Sequence, residues 1–374
     1  MSTTQWVLGL MSGTSLDGVD AAFLRTDGEK IDAFGPSAYW PYPKQIRSRI
    51  QRAMRDCAKR GGSGVFDETA RVIADAHISA ARRLPSSPKP QLIAFHGQTI
   101  FHAPDKGKTV QLGDANHLAT TLATPVIWDF RSADVAAGGE GAPLAPFFHF
   151  ALAKYLQLKD PVAFLNLGGV GNVTFVDPEA PSPDAPNALL AFDTGSANAL
   201  INDWIALRRG GHYDKDGRLA ASGRVDTRLV EHWLQNAYFR RSPPKSLDRD
   251  AFGDCIKDLA QHSDADGAAT LTTYAAACVK AAAQLAVNRP TQWILCGGGR
   301  RNTTLVSALR SQLDAPLTTA EAVGLDGDMV EAQAFAYLAA RSIRGLSLSA
   351  PGTTGVVGPT KGGRLMLPSK FTPR

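Results

Sequence analysis

A chain of 374 residues, 44% of them hydrophobic, is too long for one ordinary core and carries enough apolar side chains for two domains. Its net charge of +5 is dispersed, which argues against a nucleic-acid surface and suits small anionic ligands such as nucleotides. The four cysteines, Cys57, Cys255, Cys278 and Cys296, are scattered with no C-x-x-C pair and no His partner at zinc spacing, which argues against a disulfide scaffold or a structural zinc site and fits a reducing, cytoplasmic setting.

The apolar run 6–11 is too short for a signal peptide or a membrane span and passes directly into polar turn residues. Together with the apolar run 19–24 it reads as a β-hairpin around Ser12-Gly13-Thr14-Ser15-Leu16-Asp17-Gly18. Gly13 and Gly18 are free to take backbone angles that other residues resist, and the small side chains let N–H groups approach an anion. A plain hairpin with an Asp-Gly turn fits the same residues. Helical periodicity follows over 67–84. A strand at 92–95 then delivers His96-Gly97-Gln98-Thr99, whose amide and hydroxyl groups suit sugar hydroxyls. A strand at 125–128 leads to Arg131 and to a flexible stretch, 138–142, that holds Glu140. Surface turns and ion pairs are the alternative reading of these three segments.

Strands at 162–167 and 173–176 flank a second glycine turn, Gly168-Gly169-Val170-Gly171-Asn172, and this echo of the first hairpin suggests duplicated lobes. A bulge or a packing site accounts for the same glycines. The proline-rich stretch 178–186 is a stiff surface loop. A strand at 189–192 brings Asp193 to a turn of small residues before a helix starting near Ala199, where the carboxylate either caps the helix or projects as a general base. A helix at 268–287 precedes a strand, 293–296, ending in Gly297-Gly298-Gly299, with Asn302 and a helix at 303–313 behind it. Glycines there would let a flat base lie against the main chain, although the G-x-G-x-x-G dinucleotide pattern is missing. Glu331 falls in the first turn of a helix at 328–343, a position the macrodipole favours for any acid. No P-loop, H-E-x-x-H or G-x-S-x-G sequence occurs.

The stretch Met11-Ser12-Gly13-Thr14-Ser15-Leu16-Asp17-Gly18-Val19-Asp20 resembles the signature opening of anhydro-N-acetylmuramic acid kinases, within the sugar kinase, heat-shock ATPase and actin superfamily. The later segments follow in that family's order. The resemblance implies an α/β, two-lobed actin-like ATPase (ribonuclease H-like) fold with duplicated mixed β-sheets flanked by helices and a central cleft. Residues 1–130 with 327–374 would form the first lobe and 131–326 the second. ATP with Mg²⁺ would be bound by Gly13, Thr14, Ser15, Leu16, Asp17, Gly18, Val19 and Asp20, by Gly168, Gly169 and Asn172, and by Gly297, Gly298 and Asn302. Asp193 would be the catalytic base, and Gln98, Thr99, Arg131 and Glu331 would contact the sugar; no metal ligand is assigned.

The implied reaction opens the 1,6-anhydro ring of 1,6-anhydro-N-acetylmuramic acid with water and phosphorylates its 6-oxygen, giving N-acetylmuramic acid 6-phosphate and ADP in peptidoglycan recycling. Cleaving an acetal ordinarily takes a base and an acid. Capture of the leaving oxygen by phosphorus makes the acid unnecessary, so one carboxylate suffices. The implied partners are this small-molecule sugar and ATP, with no nucleic acid and no membrane, and the implied assembly is a homodimer. Alternatives are another sugar or carboxylate kinase of the superfamily and a nucleotide-gated non-kinase ATPase. Three places depart from the family pattern: Ser196-Ala197 stands for Pro-Gly, Glu140 stands for Gln and is expected to point away from phosphate, and Leu247-Asp248 stands for Thr-Gly after Pro243-Pro244-Lys245-Ser246, a segment given no role.

Overall fold

Runs such as Leu92–Phe95 and Val162–Leu167 offer almost no polar side chain to solvent, so they settle in the middle of sheets covered on both faces. The computed structural model describes residues 3–369. In chain order its strands are β1 (Gln5–Met11), β2 (Gly18–Thr26), β3 (Ile31–Pro41), β4 (Leu92–Phe95), β5 (Gln98–Ala103), β6 (Lys108–Leu112), β7 (Val126–Trp128), β8 (Val162–Leu167), β9 (Val170–Val176), β10 (Leu189–Ser196), β11 (Gln292–Cys296), β12 (Leu317–Thr319) and β13 (Arg364–Met366). The chain divides into two compact units, one running up to Tyr155 and resuming at Met329, the other spanning Leu156–Asp328.

The first unit's main sheet has the order β13-β7-β4-β1-β2-β3, and the second unit's has the order β10-β9-β8-β11-β12. In the first, β1, β2 and β3 form an antiparallel meander and β1, β4 and β7 run parallel. In the second, β8, β9 and β10 repeat the meander and β8, β11 and β12 repeat the parallel set. The two sheets share one topology, which is the duplicated mixed-sheet, ribonuclease H-like architecture. The first adds β13 along β7, and a separate hairpin pairs β5 with β6. Among the described residues no helix is long and apolar enough to cross a membrane.

The segment 131–155, expected in the second lobe, is part of the first unit. Asp134, on helix Ser132–Ala136, accepts hydrogen bonds from Ser349 and from Thr354 Oγ1 (2.6 Å), while Phe148, on helix Pro146–Tyr155, packs 5.7 Å from the Tyr337 ring. The apolar faces of these helices are therefore buried on the returning C-terminal segment, and the glycine-rich stretch 138–142 is a loop inside one unit rather than a linker between two. Helix Val330–Ile343 lies across β1, β2 and β4, and its alanines allow close approach. A Cβ added at Gly9 would stand 1.8 Å from the Ala332 carbonyl oxygen, so β1 and this helix meet backbone to backbone.

A buried histidine makes this unit acid-sensitive. His77, on helix Asp67–Ala81, is fully buried, bonds Ile73 O through Nδ1 at 2.8 Å and lies edge-on to Phe95. Burial pushes its pKa down to about 4, with the Ile73 bond opposing. The neutral ring is the folded form, so its contribution is complete above the unfolded value near 6.5 and is lost as pH falls toward 4. We expect the parent to lose about 3 kcal/mol across this window that His77→Leu retains, as measured by urea unfolding at stepped pH. Identical pH slopes in the two proteins would exclude the assignment.

Candidate active site

In the first unit, β1 and β2 are joined through a turn closed by Leu16 N–H donating to Gly13 O at 3.3 Å. Gln98 Nε2 donates to the same carbonyl at 3.0 Å, and Ser12 Oγ donates to Gly97 O at 3.0 Å, so the start of β5 braces the turn. Because C=O and N–H of one peptide point in opposite directions, fixing the Gly13 carbonyl inward turns the Thr14 N–H the other way. The Asp17 carboxylate is engaged within the turn by Ser15 Oγ (2.7 Å) and Gly18 N–H (3.1 Å), and its carbonyl accepts from Tyr42 N–H (2.9 Å) and Tyr39 Oη (2.8 Å).

Neither Gly13 nor Gly18 adopts the positive φ expected of it; Leu16 does, at 58°, held there by its side chain in the core. Gly18 is required for packing, since a Cβ would fall 2.4 Å from Trp40 O. Leu16 and Val19 are core side chains, which leaves only their backbone to a ligand, whereas Thr14 and Ser15 are exposed and Asp20 is half-buried on β2.

Behind this turn a polar relay orders the sugar-side candidates. His96 Nδ1 donates to Gly97 O (2.8 Å), and its Nε2 accepts from Arg131 Nε (3.1 Å), while Arg131 donates through a second nitrogen to Gly141 O (2.7 Å). Burial and the adjacent Arg131 charge hold His96 well below its ordinary pKa, so it stays neutral and accepts. Arg131 itself is pushed down to about 10 by burial, opposed by Glu331 and Asp134. Glu331 has accessible surface at the start of its helix, yet the protein mass around its carboxyl raises its pKa; Arg131 opposes this and Asp17 adds to it. Gln98 is fully buried with its Oε1 unpartnered, Thr99 Oγ1 accepts from Gln111, and Glu140 lies beside His102.

The second unit repeats the turn by different means. The Gly168 carbonyl accepts from both Asn198 N–H (3.0 Å) and Asn198 Nδ2 (2.8 Å), and the Gly169 carbonyl accepts from Ala197 and Ala199 N–H (3.0 Å each). The N-terminus of helix Asn198–Arg209 thus holds both carbonyls, and the exposed Gly169 N–H points away from it. Asn198 does here what Gln98 does in the first unit.

Asp193 and Asn172 are direct partners across β10 and β9, as are Asn172 and Asn166 across β9 and β8, so the three side chains form a row on one face. All three are half-buried between buried neighbours along their strands. The β10 register shifts between Asp193 and Gly195, a bulge that re-aims the strand at the carboxylate. Gly195 is held at φ 146°, and a Cβ there would fall 2.7 Å from Cys278 Sγ, so the bulge needs glycine. One carboxylate oxygen of Asp193, Oδ2, accepts from Leu247 N–H at 2.8 Å.

Of the glycines after β11, Gly297 (φ 73°) and Gly299 pack on Asn166 and Leu167, while a Cβ at Gly298 would meet nothing within 4 Å. A Cβ at Gly13 would meet only Ser15 Oγ, at 3.7 Å. In the first unit, open space beside Gly13 and the outward Thr14 amide suit an anion; in the second, the outward Gly169 amide does, and the backbone at Gly298 is open to a flat group. Asn302 is mostly buried, and its Oδ1 caps helix Thr303–Gln312 by accepting from Leu305 N–H (3.0 Å), a structural duty. Among the described residues no three His, Cys, Asp or Glu side chains converge as a metal site.

A family model described as anhydro-N-acetylmuramic acid kinase matches residues 5–367. The chain is 51% identical over 361 residues to the anhydro-N-acetylmuramic acid kinase of Roseobacter denitrificans, covering 96% of this chain and 94% of that one. It is 49% identical over 367 residues to that of a Ruegeria species (98% and 96% covered) and 48% over 360 residues to that of Rhodospirillum rubrum (96% and 93%). Among solved structures, component A of the (R)-2-hydroxyglutaryl-CoA dehydratase of Acidaminococcus fermentans overlaps with a TM-score of 0.47 at 12% identity, covering 90% of this chain and 98% of that one, too loosely to carry an inference. With the match running nearly end to end at about half identity, the chain belongs to the anhydro-N-acetylmuramic acid kinase family.

Proposed function

We propose that this chain consumes ATP and water to open the 1,6-anhydro ring of 1,6-anhydro-N-acetylmuramic acid, leaving N-acetylmuramic acid 6-phosphate and ADP. Family membership supports the reaction, and the observation that carries the assignment of roles is the pair of like-built glycine turns, each with its carbonyl held inward by a carboxamide side chain. The Thr14 and Gly169 amides hold phosphate oxygens without a lysine, as backbone donors can. Bound ATP with Mg²⁺ supplies the phosphoryl group, the metal being carried chiefly by phosphate and water, as Mg²⁺ commonly is.

Asp193 takes a proton from the attacking water. Its place at the end of the polar row supports this role, because Asn172 beside it and Asn166 one strand beyond bring no competing charge to that face. Gln98, Thr99, Arg131 and Glu331 read the sugar, with neutral His96 fixing the Arg131 fork. A cytosolic homodimer is part of the same reading, and four buried cysteines without a disulfide suit a reducing compartment.

The direct test is to incubate the protein with ATP, Mg²⁺ and the anhydro sugar and to weigh the product. A gain of one water and one phosphoryl group is expected, with solvent ¹⁸O at the anomeric carbon. Phosphorylation without added water would favour a kinase acting on an ordinary hydroxyl, and sugar-independent ADP release would favour a nucleotide-gated ATPase.

A further inference from the structure

Asp193 lies on the outer strand of its sheet, where one side of the backbone has no neighbouring strand. Its N–H donates to Lys245 O (3.0 Å), its C=O accepts from Tyr238 Oη (2.5 Å), and its carboxylate accepts from Leu247 N–H (2.8 Å). A single ten-residue excursion, 238–247, therefore grips one residue of the strand at three atoms. The excursion is closed on itself by Lys245 Nζ, which donates to Tyr238 O (3.0 Å) and lies 4.6 Å from the Tyr238 ring centroid and 5.6 Å from that of Phe192. Lys245 is only 4% exposed. An ammonium held in aromatic surroundings is costly unless its geometry is useful, and burial, with Arg241 nearby, lowers its pKa.

We infer that Tyr238 and Lys245 form a buckle that aims the Asp193 carboxylate, making both positioning residues for the reaction. The inference rests on the reading of Asp193 as the base. The Lys245 ammonium fixes the excursion, the fixed excursion presents the Tyr238 hydroxyl and the Lys245 carbonyl to the Asp193 backbone, and the Leu247 N–H then sets the carboxylate rotamer. Without the buckle, the bulge at Thr194 is free to relax and the carboxylate loses a donor that stabilises its charged form. Titratable groups beside the buckle are the Arg241 guanidinium, near Lys245 and 5.7 Å from the Tyr238 ring centroid, and the Cys278 thiol, of helix Asp264–Ala283, against Gly195.

Tyr238→Phe removes only the hydroxyl, and Lys245→Met keeps length and apolar bulk while removing the charge. Each is expected to lower kcat by roughly 10–100-fold with the KM for ATP unchanged, since small displacements of a reacting group cost this much. The acid limb of the kcat–pH profile should move to higher pH, because a carboxylate that loses an N–H donor protonates more readily. A role confined to stability would lower the melting temperature and leave that limb in place. Unchanged kcat, or a kcat loss with no movement of the limb in the Tyr238→Phe protein, overturns the buckle. If those variants are normal while Asp193→Asn is inactive, the buckle fails and the base reading stands; if Asp193→Asn is active, the base reading fails first.

Discussion

Asp193→Asn is expected to lower turnover by roughly 10²–10⁴-fold, the usual worth of the general base we propose it to be, and to leave nucleotide affinity intact. Asparagine keeps the size of the side chain and an oxygen that can still accept from Leu247 N–H, so the bulge at Thr194 and the row with Asn172 and Asn166 should survive the change. The two glycine turns are braced by Gln98 in the first unit and Asn198 in the second, and neither brace bonds Asp193. Calorimetric titration with ADP should therefore give the parent's affinity, while stopped assays of the sugar phosphate give little product. Near-normal turnover in a folded variant would remove Asp193 from the chemistry.

What could be read from the sequence depended on how local its cause was. Strands such as β4 and β8, buried on both faces, announce themselves as unbroken apolar runs, and the two glycine turns stand between such runs. β3 did not, because Gly35 and Pro36 interrupt it and most of its side chains are only half-buried at the edge of the sheet. β12 and β13 are three residues each, too short for alternation to be seen. The left-handed residue of the first turn is Leu16 rather than a glycine because its side chain is anchored in the core, a long-range cause that no turn rule contains.

The same division runs through the site. Asp193 was legible as a carboxylate at the end of an apolar strand. Tyr238, Lys245 and Leu247, which hold it, come from 45 or more residues further along the chain and reach it only through the fold. Asn198 could have been found by its place at a helix start, just after the small residues Gly195-Ser196-Ala197. Asn302 has the same kind of signal, and in the structure its oxygen serves the helix.

Gly9→Ala should destabilise the first unit by at least about 3 kcal/mol, the upper end for overpacking, because the added methyl meets backbone that has no rotamer to change. Ala332 O would stand 1.8 Å from the new Cβ and Ala336 N 3.2 Å, so helix Val330–Ile343 must retreat from β1 as a body. For a unit of this size such a loss lowers the melting temperature by roughly 6–12 °C. The effect is not confined to stability. β1 runs directly into the glycine turn at Ser12, and the helix carries Glu331 in its first turn, so the retreat separates Glu331 from Asp17 and Arg131, charges within its electrostatic reach. On the proposed reading of Glu331, the surviving folded fraction should bind sugar more weakly while its glycine turn, braced by Gln98 and Ser12, stays closed. Gly298→Ala is the matched control, since its Cβ meets nothing within 4 Å, and its melting temperature should equal the parent's. A Gly9→Ala protein melting within about 1 °C of the parent would mean that the helix can move off the strand at no cost, and the backbone contact would then not be what holds Glu331 in place.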